Sequence, residues 1–121
     1  MNQIETLNPL TFKNLSNLAR LILFENKITR IPEMAFSSLQ KLEVLYLNAN
    51  QISFFGRSSF AGLKNLKKLF LSYNDLSDFH FPEKVFAELS SLTYLDLQQN
   101  KVSGYEQDRL INGYPLIQFH F

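Results

Sequence analysis

Apolar residues in this chain fall into one spacing and keep to it. Leu18, Leu21 and Leu23 are followed by Asn26 and Ile28, and the same order returns 24 residues later as Leu42, Leu45, Leu47, Asn50 and Ile52. It returns again as Leu66, Leu69, Leu71, Asn74 and Leu76, and after a step of 26 as Leu92, Leu95, Leu97, Asn100 and Val102. Within each copy, Leu21 and Leu23 alternate with Arg20, Ile22 and Phe24, the period of two that turns one face of a short strand to a core and the other to solvent. Since every copy runs in the same direction, the predicted strands pair in parallel about 4.8 Å apart. The rest of each unit must cross back over the core, which makes the coil right-handed.

The return half repeats as well. Phe12, Phe36, Phe60 and Phe86 share one column, with Leu15, Leu39, Leu63 and Leu89 three positions later; Leu110 takes the Phe position in the last unit, and Gly113 stands where its leucine belongs. Two extra residues fall around Phe79-His80-Phe81-Pro82, where the backbone is expected to bulge outward. Asn2, Ile4 and Leu7 fit the middle of a unit whose strand is missing, and Leu116, Phe119 and Phe121 fit the start of another. The expected organisation is one domain over 1–121: a partial repeat at 1–17, repeats at 18–41, 42–65, 66–91 and 92–115, and a partial repeat at 116–121. Stacks of this kind need polar end caps. With none in view, the expectation is a fragment of a longer array, with self-association through uncapped ends as the alternative.

The asparagine column has a physical task. A chain that turns sharply after a strand leaves backbone N–H and C=O groups facing the interior, and one buried carboxamide satisfies both kinds. The Phe column fills the wider return half, and the mismatch in width between strands and return segments curves the stack.

Composition adds limits rather than direction. Twelve Lys and Arg against eleven Asp and Glu leave a net charge of +1, too little to hold a polyanion or membrane surface at range, so neither nucleic acid nor membrane contact is expected. No cysteine is present, which removes disulfide and thiolate-metal chemistry but fits either a reducing compartment or the middle of an exported protein. The first residues lack the pattern of a signal peptide, and no stretch approaches the roughly 18 apolar residues of a membrane span. Twelve Phe and no Trp agree with one recurrent slot for phenylalanine.

Taken together, the Leu-x-x-Leu-x-Leu-x-x-Asn-x-Ile columns in phase with a Phe column resemble the leucine-rich repeat family over essentially the whole chain. The 24-residue unit looks like its typical subtype, as in Toll-like receptor, variable lymphocyte receptor and Slit-like ectodomains. That resemblance implies an α/β solenoid, a right-handed superhelix with a parallel β-sheet on the concave face and short irregular or 3-10 segments on the convex side. It also implies ligand binding on the concave strands, export to the cell surface or beyond, and a role in an extracellular receptor or in adhesion or innate immunity.

The exposed strand positions form three rows: Arg20, Val44, Lys68, Tyr94 and Gln118; then Ile22, Tyr46, Phe70, Asp96 and His120; then Phe24, Asn48, Ser72 and Gln98. Neighbouring strands set Ile22, Tyr46 and Phe70 side by side with Phe24 adjacent, an apolar and aromatic patch with the charged Arg20, Lys68 and Asp96 around it. Protein interfaces favour such anchors and rims. The plainer account is that these side chains only cover one another across strands. The first reading is a protein-recognition module for a protein or microbial ligand; the second, of a different class, is a cytoplasmic leucine-rich repeat scaffold or regulatory subunit.

Other features carry less. Lys64, Lys67 and Lys68 with Arg57 form the one basic cluster, better read as a solvated loop than a phosphate site. Asn14-Leu15-Ser16 is an N-glycosylation sequon on the expected convex surface. His80 and His120 belong to different repeats, no paired carboxylates share a column, and there is no glycine-rich phosphate loop, so neither an enzyme, a metal site nor a cofactor is expected.

Overall fold

The structure is a computed structural model that describes residues 2–78, 81 and 84–121. Five short strands, β1 (Arg20–Ile22), β3 (Val44–Tyr46), β5 (Lys68–Phe70), β6 (Tyr94–Asp96) and β7 (Gln118–His120), form one sheet in chain order, all parallel. Leu21, Leu45, Leu69, Leu95 and Phe119 lie in register across it. These inward side chains are buried in the central coils and half-buried at the outermost strands, β1 and β7. The chain is therefore the α/β solenoid that the resemblance implies, with the parallel sheet that the spacing predicts on its concave face.

After each strand the chain reverses through a residue with left-handed backbone. Glu25, Ala49, Tyr73 and Gln99 have φ of 58°, 57°, 56° and 58°, each directly before an asparagine of the repeat. A side chain in that conformation costs about 1–2 kcal/mol, and the asparagine that follows offsets it. In Asn50, Nδ2 donates to Leu47 O of its own turn (3.1 Å) and to Leu23 O of the preceding coil (3.0 Å), while Oδ1 accepts from Ile28 N (3.1 Å). Asn74 repeats this with Leu71 O, Leu47 O and Ile52 N, and Asn100 with Leu97 O, Leu71 O and Leu76 N. Asn26 holds Leu23 O and accepts from Ile4 N. Asn2, the first of the column, is exposed and bonds instead through its backbone N–H to Glu25 O.

The return half is held by rings. Phe12, Phe36, Phe60 and Phe86 are buried and follow one another at centroid distances of 5.9, 6.5 and 6.0 Å. Coils here approach so closely that Gly62, at φ 89°, has the Ser37 backbone oxygen 2.6 Å from where a Cβ would stand. Of the leucine column, Leu39, Leu63 and Leu89 are buried, but Leu15 in the outermost coil is exposed, as is Leu116, because no neighbouring coil covers them. Of the expected bulge at Phe79-His80-Phe81-Pro82, only Phe81 belongs to the described residues; its ring is buried, 5.7 Å from Phe55, and the placement of His80 lies outside them.

Two features depart from the expected convex side. A second small parallel sheet pairs β2 (Arg30–Ile31) with β4 (Phe54–Phe55), its inner residues Ile31 and Phe55 buried. The last return segment is not irregular but an α-helix, α1 (Gly104–Gly113). Ser103 caps it, its Oγ accepting from Glu106 N, and Asp78 of the preceding coil accepts from both the N–H and the hydroxyl of Ser103. The spacing Ser103-x-x-Glu106 carries the sequence signature of a capping box, a signal that overlay of the columns obscured; the serine half forms, while Asp78 takes the Ser103 N–H in place of Glu106. Leu110 is buried as expected, yet the ring that meets Phe86, at 5.8 Å, is Tyr114 just beyond the helix. A helix rises only about 1.5 Å per residue, so the path carries an aromatic residue past the Phe position by one turn.

Asn50→Leu should lower unfolding free energy by about 1–3 kcal/mol, since it leaves the buried Ile28 N–H without a partner and takes one of two carboxamide donors from each of Leu23 O and Leu47 O; urea denaturation checks this. Hydrogen bonds from Ser103 hold the Asp78 carboxyl below its ordinary value of 3.8. The resulting stabilisation is complete above pH 3.8 and is lost as pH falls through the lowered value. Melting curves in acid should show Asp78→Asn losing this part of the pH dependence.

Candidate ligand-binding face

The sheet exposes one side chain from every second strand residue. Its register sets Arg20 beside Val44, Lys68, Tyr94 and Gln118, and Ile22 beside Tyr46, Phe70, Asp96 and His120. In the first row Arg20, Lys68 and Gln118 are exposed and Val44 and Tyr94 half-buried. In the second, Ile22 is 55% exposed and the remainder half-buried. The third row is uneven: Phe24 is 40% exposed and Gln98 exposed, but Asn48 is half-buried and Ser72 is buried. Ser72 thus does not offer the accessible contact expected of it. Its short side chain stands between the longer Asn48 and Gln98 and is shielded by the row it belongs to.

Rings dominate the centre. Tyr46 and Phe70 stack at 4.8 Å with planes 7° apart. Tyr94, a row away by sequence, leans across to lie 5.4 Å from Phe70, and His120 lies 4.7 Å from Tyr94. The aromatic run therefore crosses rows, from Tyr46 through Phe70 and Tyr94 to His120, by diagonal contacts that adjacent strands permit to long side chains. Column reading kept Tyr94 and His120 apart from the patch; the diagonal offset of two residues was the available signal. Ile22 and Phe24 extend the apolar surface at one end, whereas the other carries Asp96, Gln98 and Gln118.

Charges are distributed unequally. Lys67, of the basic cluster, pairs with Glu43 at 3.1 Å, and Asp96 turns Oδ1 to Gln98 N at 3.0 Å. Arg20 and Lys68 project from the first row without an ion-pair partner among the described residues. On the opposite half, Asn14 is exposed just after the 3-10 segment Pro9–Phe12. A groove of about 500 Å³ there runs between α1 and the segment before it, with the buried Glu106 bound to Arg109 at 3.0 Å. None of the row residues lines it. Among the described residues no three His, Cys, Asp or Glu side chains gather as a metal site.

The profile of the family described as leucine rich repeat matches residues 1–52 and 40–102. Among solved structures, TLR13 in its complex with ssRNA13 is 37% identical and superposes with a TM-score of 0.80 over 84% of this chain and 14% of that one. A leucine-rich repeat protein of Leptospira interrogans is 32% identical, with a TM-score of 0.86 over 99% of this chain and 29% of that one. The chain thus spans under a third of either. No curated protein matches it. No helix among the described residues is long and apolar enough to cross a membrane.

Proposed function

Since the chain belongs to the leucine-rich repeat family, we propose that its concave strand face is a recognition surface for a protein ligand, centred on Ile22, Phe24, Tyr46 and Phe70. The observation that carries this reading is the exposed apolar end of that face: Ile22 at 55% and Phe24 at 40% stand beside the Tyr46–Phe70 stack, uncovered by any other part of the described chain. Apolar surface gathered in one place and edged by charge is what protein interfaces use at their centre. Arg20, Val44, Lys68, Tyr94, Asp96 and Asn48 form the rim, with Ser72 as a buried support.

A microbial ligand fits the same chemistry. The 24-residue unit and the likeness to TLR13 support placement in an extracellular or cell-surface receptor, with a glycan at Asn14 away from the binding face. The competing assignment is a cytoplasmic scaffold using the same rows. One structural neighbour, TLR13, is in complex with ssRNA13. Bases need free ring faces on which to stack. Here Tyr46 and Phe70 stack on each other and Tyr94 leans on Phe70 at 48°, which leaves fewer ring faces to a base and favours protein.

A displayed library of folded small domains, selected on the wild-type chain, tests the proposal. Binders should lose at least tenfold in affinity for Ile22→Glu and Phe70→Glu, while Ile22→Glu, being exposed, changes unfolding free energy by no more than about 0.5 kcal/mol. Binders indifferent to both substitutions would place recognition elsewhere.

A further inference from the structure

On this reading of the face, its charges and dimensions also say what should lie in it. Arg20 and Lys68 occupy the same row two strands apart, with half-buried Val44 between them. Two strand spacings are about 9.6 Å. Both cations are exposed, and neither has an ion-pair partner among the described residues. The neighbouring Lys67 is by contrast paired with Glu43 at 3.1 Å. The two free charges edge one long side of the patch; along its middle run Ile22, Tyr46 and Phe70, with Phe24 on the far side.

We infer that the ligand presents to this face an acidic amphipathic α-helix, laid across the strands, with two carboxylates two turns apart against Arg20 and Lys68 and an apolar stripe against Ile22, Tyr46 and Phe70. Residues two turns apart on a helix are about 10.5 Å apart along its axis, which matches the separation of the cations. The three rows span about 13 Å of strand between their outer backbone positions, which matches the roughly 10–12 Å diameter of a helix. The apolar stripe supplies contact area, and the carboxylates set direction, register and rate of association.

The probe is a synthetic helical peptide with leucines in one stripe and two glutamates two turns apart at its edge. An isomer with lysine at both glutamate positions serves as control, and an oligouridine of similar length as the other class of ligand. Isothermal titration at low salt should show the acidic peptide binding at least tenfold more tightly than the lysine isomer, with the difference shrinking as salt is raised. Arg20→Glu combined with Lys68→Glu, at two exposed positions, should reverse the preference and leave the melting temperature unchanged. Equal binding of the two isomers, no binding of the acidic peptide, no reversal by the double variant, or tighter binding of oligouridine at the same face would each overturn the inference. The broader reading is distinguishable: if Ile22→Glu abolishes peptide binding while the charge reversal has no effect, the recognition face stands and its acidic partner does not.

Discussion

The structure depends on how one carboxamide per coil closes a turn that would otherwise leave interior backbone groups unpaired. Asn26, Asn50, Asn74 and Asn100 each bind a carbonyl of their own turn and accept an N–H from the coil before; all but Asn26 also bind a carbonyl of that preceding coil. An interior N–H or C=O without a partner costs more than a hydrogen bond contributes when made. The ladder therefore fixes the position of each coil relative to the last, and with it the left-handed residue before each asparagine and the parallel register of the strands.

From that register follows a division of labour along the chain. Inward residues are confined to leucine and its equivalents because they share a core of close-packed side chains. Outward residues of the same strands touch only their lateral neighbours and solvent, so their identity is free to serve recognition. This is why a stack with such regular insides presents so irregular an outside: apolar toward β1 and β3, with Asp96, Gln98 and Gln118 beside the rings toward β6 and β7.

Particular residues mark how far the candidate face was legible. The Ile22, Tyr46 and Phe70 alignment follows from a 24-residue shift alone, and the strands carry it out. Tyr94 and His120 were assigned to separate rows, and only side-chain direction joins them to the aromatic run. Ser72 was grouped with exposed residues by its column, but accessibility is a property of neighbours' lengths as well as of a strand's period. The α-helix at Gly104–Gly113 escaped for a similar reason: its start was written in Ser103 and Glu106, while the column expected there described a different path.

The amino-acid order by itself determined the coil, the sheet, the asparagine ladder and the list of residues facing outward. Each depends on a period, and a period is preserved in one dimension. Tertiary structure alone decided which outward residues are accessible, which rings touch, and which cations remain unpaired. Those outcomes depend on distances between side chains on different coils, and rotamer choice sets them anew at every crossing. The ladder repeats because backbone geometry repeats; the face does not, because side chains of different size and charge settle against whichever neighbours the register brings.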